Sequence, residues 1–292
     1  MNTFYQIACR MPSRIEEVLN KLTETEINRT EEIRFRIGQM LLVRCGTTSK
    51  KLDYIITNKD LQQILNNLIQ YSYYAYEDDL ASGFVTIEGG HRIGICGRTV
   101  IRDCEPAMMK EISSLNIRFA REIPGCCRKV MPEILQGKKI CNTLIVSPPG
   151  CGKTTLLRDI ARVLSENGIQ TAVCDDRSEI AGMYQGKSGF QLGPCCDVLD
   201  GCDKAWGIPM LIRSMAPQVI ITDEIGKSSD VPAVMQCMAS GVSLITSIHG
   251  SSFQDVQRSS IGNLAEQGIF QTMIYLTGKG GPGNVKEVIH YA

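Results

Sequence analysis

The sequence predicts an α/β fold with a twisted parallel sheet, preceded by a smaller α+β domain. Two observations favour the parallel sheet: strands and helices alternate between residues 140 and 250, and a glycine-rich turn joins an apolar strand to a helix within that region. The first 125 residues contain hairpin-like segments instead. A chain of 292 residues is long enough for two domains, and we place the boundary after Gly125, giving domains 1–125 and 126–292.

The elements of the N-terminal domain are predicted from apolar periodicity and turn residues. An amphipathic pattern indicates a helix over residues 12–22, and Thr57-Asn58 caps a second helix that extends from Lys59 to about Tyr76. Alternating or β-branched runs predict strands at 31–37, 40–44, 52–56, 84–87, 91–102 and 112–120.

A phosphate-binding loop is predicted after the apolar strand Leu144–Val146. The motif G-x-x-x-x-G-K-[ST] ends at Thr154, with Ser147 in place of its first glycine. In such a loop, backbone N–H groups surround the β-phosphate, Lys153 reaches the β and γ oxygens, and the Thr154 hydroxyl holds Mg²⁺. The predicted contacts to the nucleotide are Pro149, Gly150, Cys151, Gly152, Lys153, Thr154 and Thr155.

Two carboxylates supply the acidic groups that a phosphate loop requires. Asp223 and Glu224 directly follow the run Val219–Thr222, some seventy residues after the loop. This spacing is typical of a Walker B strand, in which Asp223 would hold Mg²⁺ through water and Glu224 would orient or deprotonate the attacking water. A further strand over residues 241–249 ends in His249, in the position of a γ-phosphate sensor, although a structural role for this histidine stays open.

Composition argues against several kinds of partner. Lys+Arg and Asp+Glu both total 31, so a strongly cationic field for nucleic acid is absent and no nucleic-acid partner is expected. Neither a membrane-spanning run nor a signal-peptide pattern is found, which predicts a cytoplasmic protein without direct membrane insertion. The 13 cysteines show no C-x-x-C spacing and are interpreted as reduced thiols.

Stretches over nearly the whole chain resemble the stage III sporulation protein AA family, a relative of the secretion ATPases of type II and type IV systems. The resembling stretches are 31–38, 89–98, 113–118, 175–182, 212–226 and 246–250. The resemblance implies a RecA-like P-loop domain and a cytoplasmic homo-oligomer, with the hexamer as the family's usual form. It also implies membrane-embedded channel or secretion proteins as partners, with the chain peripheral to their complex.

The resemblance also implies roles for particular residues. An acidic box maps onto Asp175, Asp176 and Glu179, and a histidine box maps onto His249. Arginines of the N-terminal domain reach the bound phosphates in that family, and the candidates here are Arg98 and Arg118, with Arg92 close behind. The chain departs from the family pattern at Ser147, at Arg258-Ser259, and in the strand over residues 270–275, which lacks the arginine that relatives tend to place before it.

The sequence therefore predicts a Mg²⁺-dependent ATP hydrolase that powers a sporulation-associated channel complex, with ATP and Mg²⁺ as its ligands. The predicted catalytic residues are Glu224, Lys153, Glu179 and His249, and the predicted metal-binding residues are Thr154 and Asp223. Two alternatives remain: a RecA-like motor that depends on nucleic acid, and a nucleotide-regulated assembly protein with little turnover.

Overall fold

The chain divides into two units in the computed structural model, which describes residues 3–46, 48–278 and 283–291. The first unit runs to Ala120 and includes Tyr184–Lys187, and the second comprises Arg121–Met183 and the chain from Ser188 onward. The domain boundary predicted after residue 125 stays a prediction.

The first unit contains a six-stranded antiparallel sheet in the order β3-β2-β1-β6-β5-β4. Its strands are β1 (Thr30–Arg36), β2 (Met40–Cys45), β3 (Thr48–Ile55), β4 (Phe84–Ile87), β5 (His91–Arg102) and β6 (Glu105–Arg118). Successive side chains point to opposite faces of a strand, so Ile33 and Phe35 of β1 are buried while Arg34 and Arg36 lie on the other face.

Helices cover the apolar face of this sheet. They are α1 (Thr3–Ala8), α2 (Ser13–Leu19), α3 (Glu24–Arg29), α4 (Asn58–Leu68) and α5 (Glu77–Ala81), with a 3-10 turn at Tyr73–Tyr76. Phe4, Ile15 and Ile64 of these helices pack in one buried cluster with Ile33 and Phe35 of the sheet. This packing removes the apolar side chains from water and is the main source of stability for the unit.

The helix predicted from Lys59 to about Tyr76 is shorter than expected. Thr57 caps it as predicted, because its hydroxyl accepts a hydrogen bond from the Asp60 N–H while the Asp60 carboxylate accepts one from the Thr57 N–H. The helix ends at Leu68, and Gln70 and Tyr71 then adopt φ values of 52° and 59°, which no α-helix can contain.

The second unit contains a seven-stranded sheet in the order β9-β8-β10-β11-β7-β12-β13. Its strands are β7 (Thr143–Ser147), β8 (Thr171–Asp175), β9 (Cys196–Asp200), β10 (Val219–Glu224), β11 (Ser243–His249), β12 (Thr272–Leu276) and β13 (Val285–His290). All neighbouring pairs are parallel except β12 and β13. The carboxyl ends of β7, β10 and β11 therefore meet at one edge of the sheet, as in other open parallel sheets that bind ligands there.

Helices lie on both faces of this parallel sheet. They are α6 (Met131–Ile134), α7 (Lys153–Glu166), α8 (Lys204–Met215), α9 (Val231–Ala239), α10 (Phe253–Gln257) and α11 (Gly262–Glu266). Ile145 of β7 packs with Leu156 of α7, whereas its neighbour Leu144 lies in a separate cluster with Ile208 of α8 and Val234 of α9. The strands are buried on both faces, which explains their nearly continuous apolar sequences.

Shorter elements complete the described chain. Two-residue strands lie at Leu135–Gln136, Lys139–Ile140, Met183–Tyr184 and Lys187–Ser188, and 3-10 turns at Cys126–Lys129 and Ser228–Asp230. Among the described residues, no helix has both the length and the apolar character needed to cross a bilayer.

Candidate functional site

The predicted phosphate loop joins β7 to α7 at the carboxyl edge of the parallel sheet. Strand β7 ends at Ser147, and α7 begins at Lys153. Gly150 and Gly152 adopt φ values of 76° and 88°, a region that glycine enters without steric cost. Ser147 is buried at the end of the strand, and its backbone does not require glycine because its φ is not among the positive ones. The glycines that remain are those whose conformation the loop needs.

Lys153 projects from the start of α7 back over the end of β7. Its Nζ lies 3.3 Å from the Ser147 carbonyl oxygen and 2.7 Å from His249 Nδ1. Partial burial lowers the pKa of Lys153, and the nearby Glu224 carboxylate acts in the opposite direction. The ammonium group is thus held by neutral acceptors within the loop, in the place from which it could reach a phosphate.

Strand β11 brings His249 between the loop and the Walker B carboxylates. It lies between β7 and β10 in the sheet, and its residue His249 is directly opposite Ser147 of β7. His249 Nε2 is 2.9 Å from Glu224 Oε2, while its Nδ1 contacts Lys153. An ammonium can only donate, so Nδ1 accepts from Lys153 and Nε2 donates to Glu224. Three predicted catalytic residues therefore form one hydrogen-bonded chain.

Asp223 lies on the same strand but faces a different partner. It is 7% exposed, and its Oδ1 is 2.7 Å from Lys204 Nζ, an ion-pair distance. Lys204 Nζ also lies 3.3 Å from Asp176 Oδ2. Burial raises the pKa of Asp223, and the Lys204 ammonium counteracts that shift. Desolvation opposes the charge on Lys204, yet the two carboxylates raise its pKa overall.

The acidic box is divided by the structure into residues with different roles. Asp175 is fully buried, and its carboxylate accepts hydrogen bonds from the backbone N–H groups of Glu179, Ile180 and Ala181. Burial raises the pKa of Asp175 to about 6, against the lowering effect of these hydrogen bonds. Asp175 therefore organises the turn that carries Glu179, because its carboxylate is bonded to the backbone of that turn.

Arg158 of α7 contacts the same turn through the turn's carbonyl groups. Its guanidinium donates to the carbonyl oxygens of Ile180 at 2.7 Å and Glu179 at 2.6 Å, and lies 3.6 Å from the centroid of the Phe190 ring. Because the Glu179 N–H donates to Asp175 and the Glu179 carbonyl oxygen accepts from Arg158, this half-buried residue has a defined backbone position shortly after β8. Its predicted catalytic role stays a prediction.

The residues predicted to hold Mg²⁺ have the right chemistry for that ion. Thr154 is half-buried in the first turn of α7 and offers a hydroxyl, and Asp223 offers a carboxylate at the end of β10. Within residues 3–46, 48–278 and 283–291, no group of three or more His, Cys, Asp or Glu side chains could hold a metal alone. A site with one carboxylate and one hydroxyl fits Mg²⁺, which keeps several waters and is usually bound jointly with substrate phosphates.

The N-terminal arginines occupy two different parts of the first sheet. Arg118 of β6 is directly opposite Arg92 of β5, at the same end of the hairpin. Arg98 lies beyond a register shift, opposite Lys110, and its side chain is 73% exposed and 3.6 Å from Glu111. The two arginines predicted to reach phosphate are thus separated along the hairpin, and Arg92 is the neighbour of Arg118.

Solved structures share this architecture. The pilus retraction motor PilT, solved with bound ADP, aligns with a TM-score of 0.62 at 15% identity and covers 93% of this chain and 84% of its own. The ATPase DotB of Legionella pneumophila aligns with a TM-score of 0.60 at 14% identity, over 91% of this chain and 76% of its own. The chain therefore has the RecA-like fold of secretion and pilus-motor ATPases, and the predicted fold class is confirmed.

The chain belongs to the family described as sporulation stage III, protein AA, whose profile matches residues 2–291. Stage III sporulation protein AA of Bacillus subtilis (strain 168) is 40% identical over 291 residues, which cover 97% of this chain and 94% of that protein. Protein SEEDLING PLASTID DEVELOPMENT 1 of Arabidopsis thaliana is 28% identical over 148 residues, 50% of this chain and 21% of its own length. The family predicted from the resembling stretches is confirmed.

Sequence reasoning missed two cations of this site. Lys204 was not singled out because a lysine at the start of an amphipathic helix is normally a solvated residue. Arg158 was missed because its partners are backbone carbonyls, which leave no pattern of residue types in the sequence. A charged residue within an otherwise buried helix face, as at Arg158, is the signal that could have been followed.

Proposed function

We propose that this protein is a Mg²⁺-dependent ATP hydrolase that works as a homo-oligomer and powers a membrane-associated sporulation complex. The observation that carries the proposal is the chain of contacts from Lys153 through His249 to Glu224 at the carboxyl edge of the parallel sheet. A base, a phosphate-binding ammonium and a polar group between them are the residues that ATP hydrolysis needs in one place.

Each residue of this chain has a separate task in the proposed reaction. The Lys153 ammonium leaves the Ser147 carbonyl and binds the β and γ oxygens, where it offsets developing negative charge. The Glu224 carboxylate accepts a hydrogen bond from the attacking water and orients it in line with the γ-phosphorus. His249, fixed on the strand between them, keeps these two groups at a set separation before the nucleotide arrives.

The Thr154 hydroxyl and the Asp223 carboxylate would hold Mg²⁺, which would supply positive charge to offset that of the phosphates. The backbone N–H groups from Gly150 to Thr154 would donate to the β-phosphate, because the positive φ values of Gly150 and Gly152 curve the loop around that position. Glu179, held beside β8 by Asp175 and Arg158, is proposed to assist as a further acidic group near the reacting phosphate.

The test compares ATP binding and phosphate release for three variants. Lys153→Ala is expected to lose ATP binding, whereas Glu224→Gln is expected to bind ATP and lose turnover by about 10²-fold or more. Glu266→Gln is the matched control, since this exposed carboxylate on α11 accepts a hydrogen bond from Gln257 Nε2 and has no part in the proposed reaction. Normal hydrolysis by Glu224→Gln would remove the proposed base.

The same assay separates the two alternatives. A nucleic-acid-dependent motor would hydrolyse ATP faster with DNA or RNA, and the stimulation would fall steeply as salt rises. A nucleotide-regulated assembly protein would bind ATP without measurable phosphate release and would change its oligomeric state instead. We expect neither result, because the chain has both Asp223 and Glu224 at the end of β10 and carries no net charge.

A further inference from the structure

Lys204 is a buried cation beside the proposed metal-binding carboxylate, and the mechanism above does not use it. The residue is 5% exposed, although lysine is almost never buried unless it is paired. Its ammonium contacts Asp223 at 2.7 Å and Asp176 at 3.3 Å. Asp223 is at the carboxyl end of β10, and Asp176 directly follows β8, the adjacent parallel strand. The Lys204 ammonium therefore lies between carboxylates from two neighbouring strands.

The place of Lys204 in its own helix is unfavourable for a cation. It is the first residue of α8, where the helix dipole is positive and a lysine is destabilising. Asp203, the N-cap, has other partners in contact: its carboxylate accepts from the Ala205 N–H at 2.9 Å and pairs with Lys227 at 3.0 Å, so it attracts Lys204 only without contact. The carboxylates that contact the ammonium are those of Asp176 and Asp223, and these two ion pairs are what stabilise it in its buried position.

A metal ion at Asp223 would share this carboxylate with the lysine. Mg²⁺ binds carboxylate oxygens either directly or through its water shell, and in both cases it brings two positive charges close to the ammonium. Cations this near repel strongly where little water screens them. The structure thus contains a tethered cation that makes the same interaction with Asp223 that the metal would make.

We propose that Lys204 is a built-in counter-ion of Asp223 that competes with Mg²⁺ and sets the Mg²⁺ concentration at which the protein binds ATP. The proposal rests on the proposed function, because only the metal-binding role of Asp223 creates the competition. When Mg²⁺·ATP binds, Lys204 leaves Asp223 and keeps its contact with Asp176, and the first turn of α8 shifts with it. Lys204 is a positioning residue in this scheme and does not contact the nucleotide.

The experiment measures ATP affinity by calorimetry as a function of free Mg²⁺ for the wild type and Lys204→Met. Removal of the competing charge is expected to lower the Mg²⁺ concentration at half-maximal ATP binding about tenfold. Binding of ATP in EDTA is expected to stay the same. Trp206, the sole tryptophan, is 75% exposed in the same turn of α8, so its fluorescence reports the shift when MgCl₂ and ATP are added to the wild type.

Two variants control for charge and for folding. Lys227→Met removes a lysine near the start of the same helix that pairs with Asp203 instead of Asp223, so its Mg²⁺ midpoint should match the wild type. Lys204→Arg keeps the positive charge, so its Mg²⁺ midpoint should also match that of the wild type. If Lys204→Met does not fold, Lys204→Gln provides the same test, because its amide still donates to both carboxylates but carries no charge.

Two results would overturn the proposal, and they are distinguishable. An unchanged or higher Mg²⁺ midpoint in the uncharged Lys204 variants, with ATP binding intact, would mean that Lys204 does not compete with the metal. Absence of ATP binding by the wild type at every Mg²⁺ concentration would instead remove the proposed function, and the competition with it.

Discussion

The three histidines of the chain lie in three different environments, and only the buried one is expected to control stability. His91 is 1% exposed, and its Nδ1 accepts a hydrogen bond from the Ala120 N–H at 3.1 Å. His249 joins Lys153 to Glu224, and His290 contacts Glu133 at 2.9 Å near the surface. The His91 ring also meets Phe119 edge-on, so a charge on this buried ring would lie against an apolar side chain.

Burial makes His91 a source of pH-dependent stability. Desolvation lowers its pKa from 6.5 to about 4, and Arg10 adds to the shift. Between these values the unfolded chain binds a proton that the folded chain does not, so stability is lost as the pH falls from about 6.5 to 4. The loss attributable to this residue is about 3 kcal/mol at most. We expect His91→Asn, which keeps an acceptor for Ala120, to flatten the dependence of the thermal midpoint on pH in this range.

His290→Gln is the matched control for this prediction, since His290 is a partly exposed histidine with one carboxylate neighbour. Its pH profile should follow that of the wild type. A His91→Asn profile as steep as the wild type would assign the acid sensitivity to other groups.

The role of a residue could be predicted from the sequence where a motif specifies it. The role could not be predicted where it depends on contacts that the folded backbone creates. The roles proposed for Lys153, Asp223 and Glu224 are predicted from motif spacing, and the structure brings Lys153 and Glu224 to one histidine. The turn-forming role of Asp175 could not be predicted, because an aspartate that accepts three backbone N–H groups has the same sequence signature as one that faces a ligand.

At the scale of elements, the phosphate loop explains why the serine in its motif is tolerated. Ser147 belongs to the last position of β7, and its hydroxyl donates to the Pro148 carbonyl oxygen at 3.0 Å. Gly152 is different, because it caps α7 in a left-handed conformation with φ of 88°. The first position of the motif is therefore a strand residue in this protein, and the sixth is a true glycine position.

The substitutions Ser147→Gly and Gly152→Ala test this distinction. Ser147→Gly is expected to keep ATP affinity and to lose about 0.5–1 kcal/mol of unfolding free energy, because glycine weakens a strand. Gly152→Ala is expected to lose ATP binding while the protein stays folded, since a side chain in the left-handed region costs about 1–2 kcal/mol and crowds the phosphate. Calorimetry with ATP and thermal unfolding measure both effects. Tighter ATP binding by Ser147→Gly would mean that the serine impairs the loop.

Elements with a strong apolar period could be predicted from the sequence, and elements defined by their neighbours could not. Strands β7, β10 and β11 are continuous apolar runs, because helices cover both of their faces. Strand β9 has no such pattern: its residues Cys196–Asp200 are half-buried or exposed at the edge of the sheet, and it was not predicted. The end of α4 at Leu68 was also missed, because the tyrosines that follow continue a helical spacing while the backbone turns away.

At the scale of the whole molecule, the proposed oligomer would allow a residue of one chain to complete the site of a second chain. The family resemblance implies that an arginine of the N-terminal unit reaches the bound phosphates, and loss of such a residue is expected to cost about 10³-fold in rate. Arg118, which has Arg92 as its neighbour on the adjacent strand, and Arg98 are the candidates. If sites are shared in this way, specific activity rises with protein concentration in step with assembly, as measured by phosphate release and size-exclusion chromatography.

Mixing two inactive variants tests whether the arginine acts between chains. Arg118→Ala keeps the base Glu224, and Glu224→Gln keeps Arg118, so a mixed oligomer contains sites that combine an intact base with an intact arginine. We expect the mixture to recover hydrolysis that neither variant shows alone. The same mixing experiment is made with Arg98→Ala in place of Arg118→Ala, since Arg98 lies in the exposed part of the hairpin beside Glu111. Recovery with only one of the two arginine variants identifies the residue that reaches the neighbouring site. If neither arginine variant recovers hydrolysis when it is mixed with Glu224→Gln in the assembled oligomer, each chain completes its own site. In that case the base and the arginine must be intact in the same polypeptide.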